Sequence, residues 1–321
     1  MSTRREFLRA ASAAAILSPS LLRGASDPYG PLLPQRVFGK TGEKVTAFGL
    51  GGHHVGVAEN EKHAEALIEC AMECGVRFFD NAVSYGDGLS ESYYGRFLTP
   101  KYREHVFLTT KTKRNKAREA REEFEDSLRR LKTDHVDLWQ IHAIGSVNDV
   151  KGRIEGGVLD LFLEMREKKK ARYIGFSGHT SQEAMCYLSD FCKEQGYQMD
   201  ACLMPVNIAE THYDSYIINV LPKLQEQGVA LMAMKSMTFG GIFKHADKVA
   251  PGVITPKNLH EYAYSLPIAC LLSGCETVEQ IKENTAFLRN FTGMDEERRK
   301  ELVAAVEKIA GPDLETYKRR I

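Results

Sequence analysis

The chain reads as an α/β protein of the (β/α)8 TIM barrel class, with a β-hairpin before the barrel and an extra helix after it. Three observations predict this. Short apolar runs of four to six residues alternate with amphipathic helical stretches, the pattern of strands joined by crossover helices. Eight such pairs occur, the number that closes a parallel barrel. At 321 residues the chain has room for one barrel of roughly 250 residues with extensions at both ends.

The hairpin comes first, where Arg36-Val37-Phe38 and Lys44-Val45-Thr46 flank a turn from Gly39 to Glu43, and it is placed to plug the barrel floor. Strands are expected near Ala47–Leu50, Arg77–Asp80, Val106–Thr110, Val136–Ile141, Tyr173–Phe176, Ala201–Met204, Ala230–Met234 and Cys270–Ser273. Helices are expected at Lys62–Cys74, Ser90–Leu98, Ala117–Leu131, Val158–Lys169, Ser181–Gln195, Ser215–Gln227, Lys257–Ser265 and Val278–Arg289. A final helix, Asp295–Ile309, falls outside the repeat. The organisation is therefore a barrel with a helical tail over residues 35–321, a linker over 27–34 and a separate segment over 1–26.

Four polar residues follow successive strand ends. Asp80 comes after Phe78-Phe79, Tyr85 follows it, Lys111 ends Leu108-Thr109-Thr110, and His142 ends Leu138-Trp139-Gln140-Ile141. Taken singly, each has an ordinary explanation as a turn, solvated or packed residue. Together they form a set at the end of the barrel where active sites lie. A tyrosine ordinarily titrates near about 10, and a neighbouring lysine ammonium is expected to lower that value. A carboxylate holds the lysine in place, and a histidine opposite hydrogen-bonds a carbonyl oxygen as it gains charge. No side chain donates hydride, so this set requires a nicotinamide.

The same residues resemble the aldo-keto reductase family. Its Asp followed five residues later by Tyr-Gly stands here as Asp80 and Tyr85-Gly86, and Glu91 and Gly95 also fit. Thr109-Thr110-Lys111 is similar to the family's lysine strand. Ser127 to Leu131, Asp134 and Asp137-Leu138 match the helix and strand that deliver its histidine. Arg172 to Ser177 match its fifth strand, and Gly274 through Glu283-Asn284 its cofactor-binding eighth loop. The likeness runs from about Gln35 to Phe291.

The resemblance implies direct hydride transfer between NAD or NADP and a small-molecule carbonyl or alcohol, with Asp80, Tyr85, Lys111 and His142 as the catalytic set. It places the cofactor at Ser177 (carboxamide), Ser236 to Gly240 (pyrophosphate), and Gly274, Cys275, Glu276, Gln280 and Asn284 (adenosine). Asn207 keeps a family position, but Leu203 and Val206 replace the glutamine and tyrosine before it, and Met234 stands for the aromatic that stacks on nicotinamide. Lys235 is placed to contact pyrophosphate or to pair with a carboxylate. Glu276 can accept bonds from ribose hydroxyls and repel a phosphate, which leans the expectation toward NAD. His53, His54, His179, Glu210, His212 and Tyr213 line a polar mouth suited to sugars or polyols.

The N-terminus carries separate information. Thr3-Arg4-Arg5-Glu6-Phe7-Leu8-Arg9 precedes an apolar stretch, Ala10 to Leu17, shorter than the roughly 20 residues that span a bilayer. It resembles a twin-arginine export signal. The export machinery becomes an expected partner and the periplasm, or another exported location, the expected destination. A periplasm holds no supply of reduced nicotinamide, so an exported reductase is expected to keep its cofactor and to recycle it on a second substrate in the same site.

Composition excludes other classes. Acidic and basic residues number 43 each, so no net field attracts nucleic acid. Seven cysteines fall mostly among apolar neighbours and read as small core residues, with no repeated Cys-x-x-Cys for zinc or an iron-sulfur cluster. Two rivals remain: a metal-dependent hydrolase using His53, His54, His142 and His179, and a barrel that binds nicotinamide without turnover. Adjacent His53 and His54 cannot both face inward from a regular strand, so no metal is assigned.

Overall fold

A computed structural model of the chain describes residues 20–319. The eight apolar runs pair side by side as parallel strands, and the sheet closes on itself. Two short antiparallel pairs precede it: β1 (Ser26–Asp27) with β2 (Gly30–Pro31), and β3 (Gln35–Val37) with β4 (Lys44–Thr46). The barrel strands are β5 (Phe48–Gly51), β6 (Phe78–Asp80), β7 (Phe107–Thr112), β8 (Val136–Ile144), β9 (Ala171–Gly178), β10 (Ala201–Pro205), β11 (Ala230–Met234) and β12 (Cys270–Ser273). Each pairs with its neighbour in sequence, and β12 returns to β5 through Ser273 opposite Leu50.

Alternation along each strand sorts the side chains into two cores. Phe78, Phe107, Leu138, Leu203, Met232 and Leu272 fill the bore. Residues of the opposite parity face the helices, as Trp139 does, stacked between Phe124 and Phe162 at ring separations of 4.1 and 3.7 Å. The expected floor plug is present: Phe38, at the end of β3, is fully buried against Phe107 at 5.0 Å. The hairpin turn is tied to the start of β11 by Lys40 N–H donating to Gly228 O.

Helix beginnings follow capping chemistry. Asn60, Ser181, Thr255, Thr277 and Asp295 each accept a backbone N–H from the first turn of the helix they open. Other segments depart from expectation. Residues after β5 form a short helix, Gly52–Gly56, and a further helix, Val147–Glu155, follows β8. The stretch expected as one helix over Ser215–Gln227 breaks into Tyr216–Asn219 and Leu221–Glu226, because Pro222 has no N–H for a continuous ladder. The helix opening at Leu89 widens into a π turn over Tyr94–Leu98, where a Cβ on Gly95 would overlap the Arg130 carbonyl. The final helix stops at Ala305.

Residues 27–34, expected as a linker, are docked instead. Asp27 forms a two-point ion pair with Arg77 at 2.6 and 2.8 Å, and Leu33 is buried with its N–H on Gly75 O. The attachment begins before the expected boundary at residue 26. Leu22 exchanges both backbone hydrogen bonds with Gln35, and Arg23 donates to Arg289 O and Phe291 O at 2.8 and 2.6 Å. The Arg4-Arg5 pair and its apolar stretch lie outside the described residues. Among the described residues no helix is long and apolar enough to cross a membrane, and all seven cysteines are free thiols.

Candidate active site

Three neighbouring strands deliver the central side chains to the carboxyl end of the barrel. β6 ends on Asp80, and in β7 the alternation that turns Thr109 inward also turns Lys111 inward. In β8 the inward set is Leu138, Gln140 and His142. Lys111 is 1 % exposed and Asp80 3 %. Lys111 Nζ donates to Asp80 Oδ1 at 2.6 Å, to Asn81 O at 2.6 Å and to Tyr85 Oη at 3.5 Å. Asp80 Oδ1 also accepts from Thr109 Oγ1 at 2.9 Å. Three acceptors match the three N–H bonds of an ammonium. Tyr85 Oη therefore accepts from Lys111 and keeps its own hydrogen for a partner in the mouth.

Local sequence sets the tyrosine's position. Tyr85 N–H closes a turn on Ala82 O. Gly86 has φ of +60°, and a Cβ there would run into the Gly56 carbonyl, so the turn admits only glycine. Behind it Glu91, fully buried, accepts from Thr110 Oγ1 at 2.6 Å and Arg130 Nε at 2.7 Å and locks the following helix to β7. His142 faces Tyr85 edge-to-face with ring centroids 5.9 Å apart, and His53 approaches Tyr85 from the rim at 5.6 Å.

The electrostatics correct one expectation. Burial, with the charge of Asp80 adding to it, pushes the Tyr85 phenol well above its ordinary value rather than below it. Lys111 spends its charge on Asp80 at the shorter distance, so little remains to stabilise a phenolate. Burial also lowers Lys111, against the pull of Asp80. His142 is held well below 6.5 by burial and by Lys111, Lys113, His179 and Arg153 around it. At neutral pH the site thus presents a protonated phenol and an uncharged imidazole, the forms that donate hydrogen bonds to a carbonyl oxygen.

A model of the aldo/keto reductase family matches residues 47–298. The chain belongs to that family. L-galactose dehydrogenase of Arabidopsis thaliana is 27 % identical over 315 residues, covering 85 % of this chain and 94 % of the relative. Among solved structures, aldo-keto reductase AKR11C1 from Bacillus halodurans, in its holo form, superposes with a TM-score of 0.72 at 20 % identity, covering 88 % of this chain and 99 % of that one. An aldo/keto reductase from Klebsiella pneumoniae in complex with NADP and acetate gives 0.69 at 20 % identity, covering 88 % and 97 %. This aldo/keto reductase is an NAD(P)-dependent oxidoreductase whose substrate is a small-molecule carbonyl or alcohol.

The residues present fit a dinucleotide. At the end of β11, Lys235 has a left-handed backbone (φ +61°), as do Thr238, Phe239 and Gly240, and the turn is closed by Thr238 N–H on Lys235 O and Gly240 N–H on Met237 O. Lys235 has no carboxylate partner among the described residues; its Nζ lies 3.8 Å from the Phe239 ring centroid, and burial alone pulls it down to about 7. Ser236 is buried beside it, Met234 is partly buried over the bore, and Ser177 Oγ accepts from Ala143 N at 3.2 Å.

Other predicted contacts turn out to be engaged elsewhere. Asn284 is buried and donates to Cys275 Sγ at 3.4 Å, and Gln280 accepts the Glu276 N–H at 2.7 Å, so these shape the eighth loop from within. Glu276 projects outward, and Gly274 is covered by His54. His179 Nδ1 bonds Tyr317 O at 2.6 Å and His212 Nε2 bonds Val303 O at 2.9 Å; both fasten the C-terminal tail rather than line an open mouth. Asn207 is held by that tail as well. His53 and His54 meet edge-to-face at 5.4 Å, the first against Tyr85 and the second over Gly274, and among the described residues the four histidines of the hydrolase reading do not form a group that could hold a metal ion.

Sequence reasoning missed Gln140. It is fully buried, inward-facing and paired in register with Lys111, and neither of its amide atoms has a protein partner; Asn81 Nδ2 and His142 Nδ1 nearby also lack one. The signal was a lone amide within the apolar stretch Leu138–Ile141, two residues before the histidine.

Proposed function

We propose that this enzyme interconverts a carbonyl and an alcohol on a sugar or polyol, with Tyr85 as proton donor, Lys111 as the group that holds its hydroxyl, Asp80 as the anchor of Lys111, and His142 as the group that orients the substrate oxygen. When bound, nicotinamide supplies or accepts the hydride. The observation that carries the reading is the Lys111 ammonium with its three acceptors, which leaves the Tyr85 hydrogen aimed outward. In the reducing direction Tyr85 gives that proton to the carbonyl oxygen as the carbon is reduced. Lys111 then faces the phenolate, and His142 N–H steadies the oxygen while it carries charge. The sugar class is supported by the relative named L-galactose dehydrogenase and by His53 at the rim.

Lys235 is assigned to the pyrophosphate. An anion beside it raises a lysine that burial has lowered to about 7. Binding of the dinucleotide at pH 8 is therefore expected to take up a fraction of a proton, measured by calorimetry in two buffers of different ionisation enthalpy. Lys235→Met should bind more weakly and take up none. Wild-type binding without proton uptake would remove Lys235 from the site.

Ser177, near the end of β9, is assigned to the carboxamide, and Glu276 to the ribose hydroxyls, which favours NAD. The neighbours solved with NADP or NADPH are 20 % identical and speak for the fold. The Arg4-Arg5 motif supports export, and export supports a retained cofactor. Protein purified without added nucleotide is expected to release NAD(P) on denaturation, identified by mass spectrometry and absorbance. An empty protein that binds NAD and NADP only weakly would sink retention, and NADP as the released species would sink the role given to Glu276.

A further inference from the structure

We infer that the barrel floor, at the pole opposite the reactive end, carries a binding site for a small oxyanion of the phosphate class, built from Arg23, Arg36 and Arg289. A recess of about 580 Å³ lies there, lined by these three arginines with Asn290 and Thr292 and by no acidic residue. The three cations come from separate parts of the chain: the segment that enters the floor, strand β3 and the end of the helix Val278–Asn290. Like charges gathered in one recess repel one another unless something of opposite sign offsets them.

Helix ends offset part of this charge. Arg36 Nη1 donates to Ile268 O at 2.8 Å and Nη2 to Tyr264 O at 2.6 Å, where the helix Pro256–Tyr264 ends. Arg23 donates to Arg289 O and Phe291 O at the end of Val278–Asn290. Arg289 Nη2 donates to Cys74 O at 2.7 Å, at the end of Glu61–Glu73. Each helix end carries roughly half a negative charge, so three of them leave a surplus of about +1.5 on three guanidinium groups. Among the described residues every side-chain hydrogen bond of the three arginines ends on a backbone carbonyl and none on a carboxylate.

Arg36 is also left incomplete. It is 1 % exposed, and its Nε has no partner. Burial lowers its guanidinium to about 10, with no carboxylate acting against that fall. A buried N–H without an acceptor is costly, and capping a helix does not require one. Of the five N–H bonds that each guanidinium carries, Arg23 spends two and Arg289 one on carbonyls. Both residues are exposed, so the remaining donors are open to a ligand. Guanidinium forks match the oxygens of a phosphate. An oxyanion held here ties the entering segment to β3 and to the helix end, and so stabilises the floor without touching the chemistry.

The test titrates inorganic phosphate and sulfate into the full chain at constant ionic strength, with dinucleotide present to occupy the reactive end. Calorimetry and the unfolding midpoint are the readouts. Wild-type protein is expected to bind one phosphate and to unfold at a higher temperature in its presence. Arg289→Gln and Arg23→Gln should each weaken phosphate binding roughly 10-fold or more and leave turnover at the wild-type value; the second serves if the first does not fold. Lys235→Met, at the other pole, should bind phosphate as wild type does. Vesicles of phosphatidylglycerol, set against phosphatidylcholine, separate the two sources of such a group. Capture that Arg289→Gln loses assigns a lipid headgroup, phosphate binding without capture assigns the free ion, and either result supports the site. Wild-type protein that binds neither phosphate nor vesicles, or binding that both arginine variants retain, would overturn it.

Discussion

Tyr85→Phe is expected to lower the rate of hydride transfer by about 10²- to 10⁴-fold, the range that a positioned proton donor contributes, while cofactor affinity stays close to wild type. The phenyl ring keeps its edge contacts with His53 and His142, so the loss belongs to the hydroxyl. Single-turnover measurement with preloaded cofactor isolates that step. The wild-type step should also be flat upward from about pH 6.5 until Lys111, lowered by burial, gives up the proton that holds the Tyr85 hydroxyl. His142 gains its proton only well below the lower limit, and Tyr85 keeps its own well above its ordinary value. A Phe variant of full activity, or a wild-type rate that falls near neutrality as an ordinary histidine titrates, would take the proton away from Tyr85.

Lys111→Met should cost both stability and activity. It removes the ammonium from a site where Asp80 is 3 % exposed and leaves that carboxylate with Thr109 Oγ1 as its remaining side-chain partner. Breaking a buried pair from one side costs about 3–5 kcal/mol, roughly a 5–15 °C fall in the unfolding midpoint. Asp80→Asn with Lys111→Met replaces both charges and is expected to recover most of that stability but none of the activity. Recovery of turnover in the double variant would show that Lys111 serves packing and not Tyr85.

The barrel was legible because its strands are largely buried on both faces and carry short apolar runs; β11 and β12 begin and end where the sequence places them. The residues around Asp80 were legible because glycines at fixed offsets, Gly86 and Gly95, are required by backbone contacts. The tail was not. Glu315, Tyr317 and Lys318 stand among charged residues that resemble any solvated terminus, and their partners Asn207 and Glu210 lie more than a hundred positions away. Periodicity carries no signal for such pairing. His179 follows β9 directly and His212 lies in a short helical turn seven residues past β10, and both spend a ring nitrogen on carbonyls of the C-terminal segment. The direction of the Tyr85 shift was misjudged because the sequence shows that a lysine is near but not that its charge is already taken up by Asp80.

Arg23 and Leu22 fasten the incoming chain beneath the barrel, near the hairpin that closes its floor, whereas Lys318 is sealed into the opposite end beside the strand tips. The two ends of the described chain thus open onto opposite poles. Ser20, the first described residue, lies at the pole remote from the chemistry and Arg319, the last, beside the strand tips, so recombinant forms that carry an affinity handle at one terminus or the other should differ in activity.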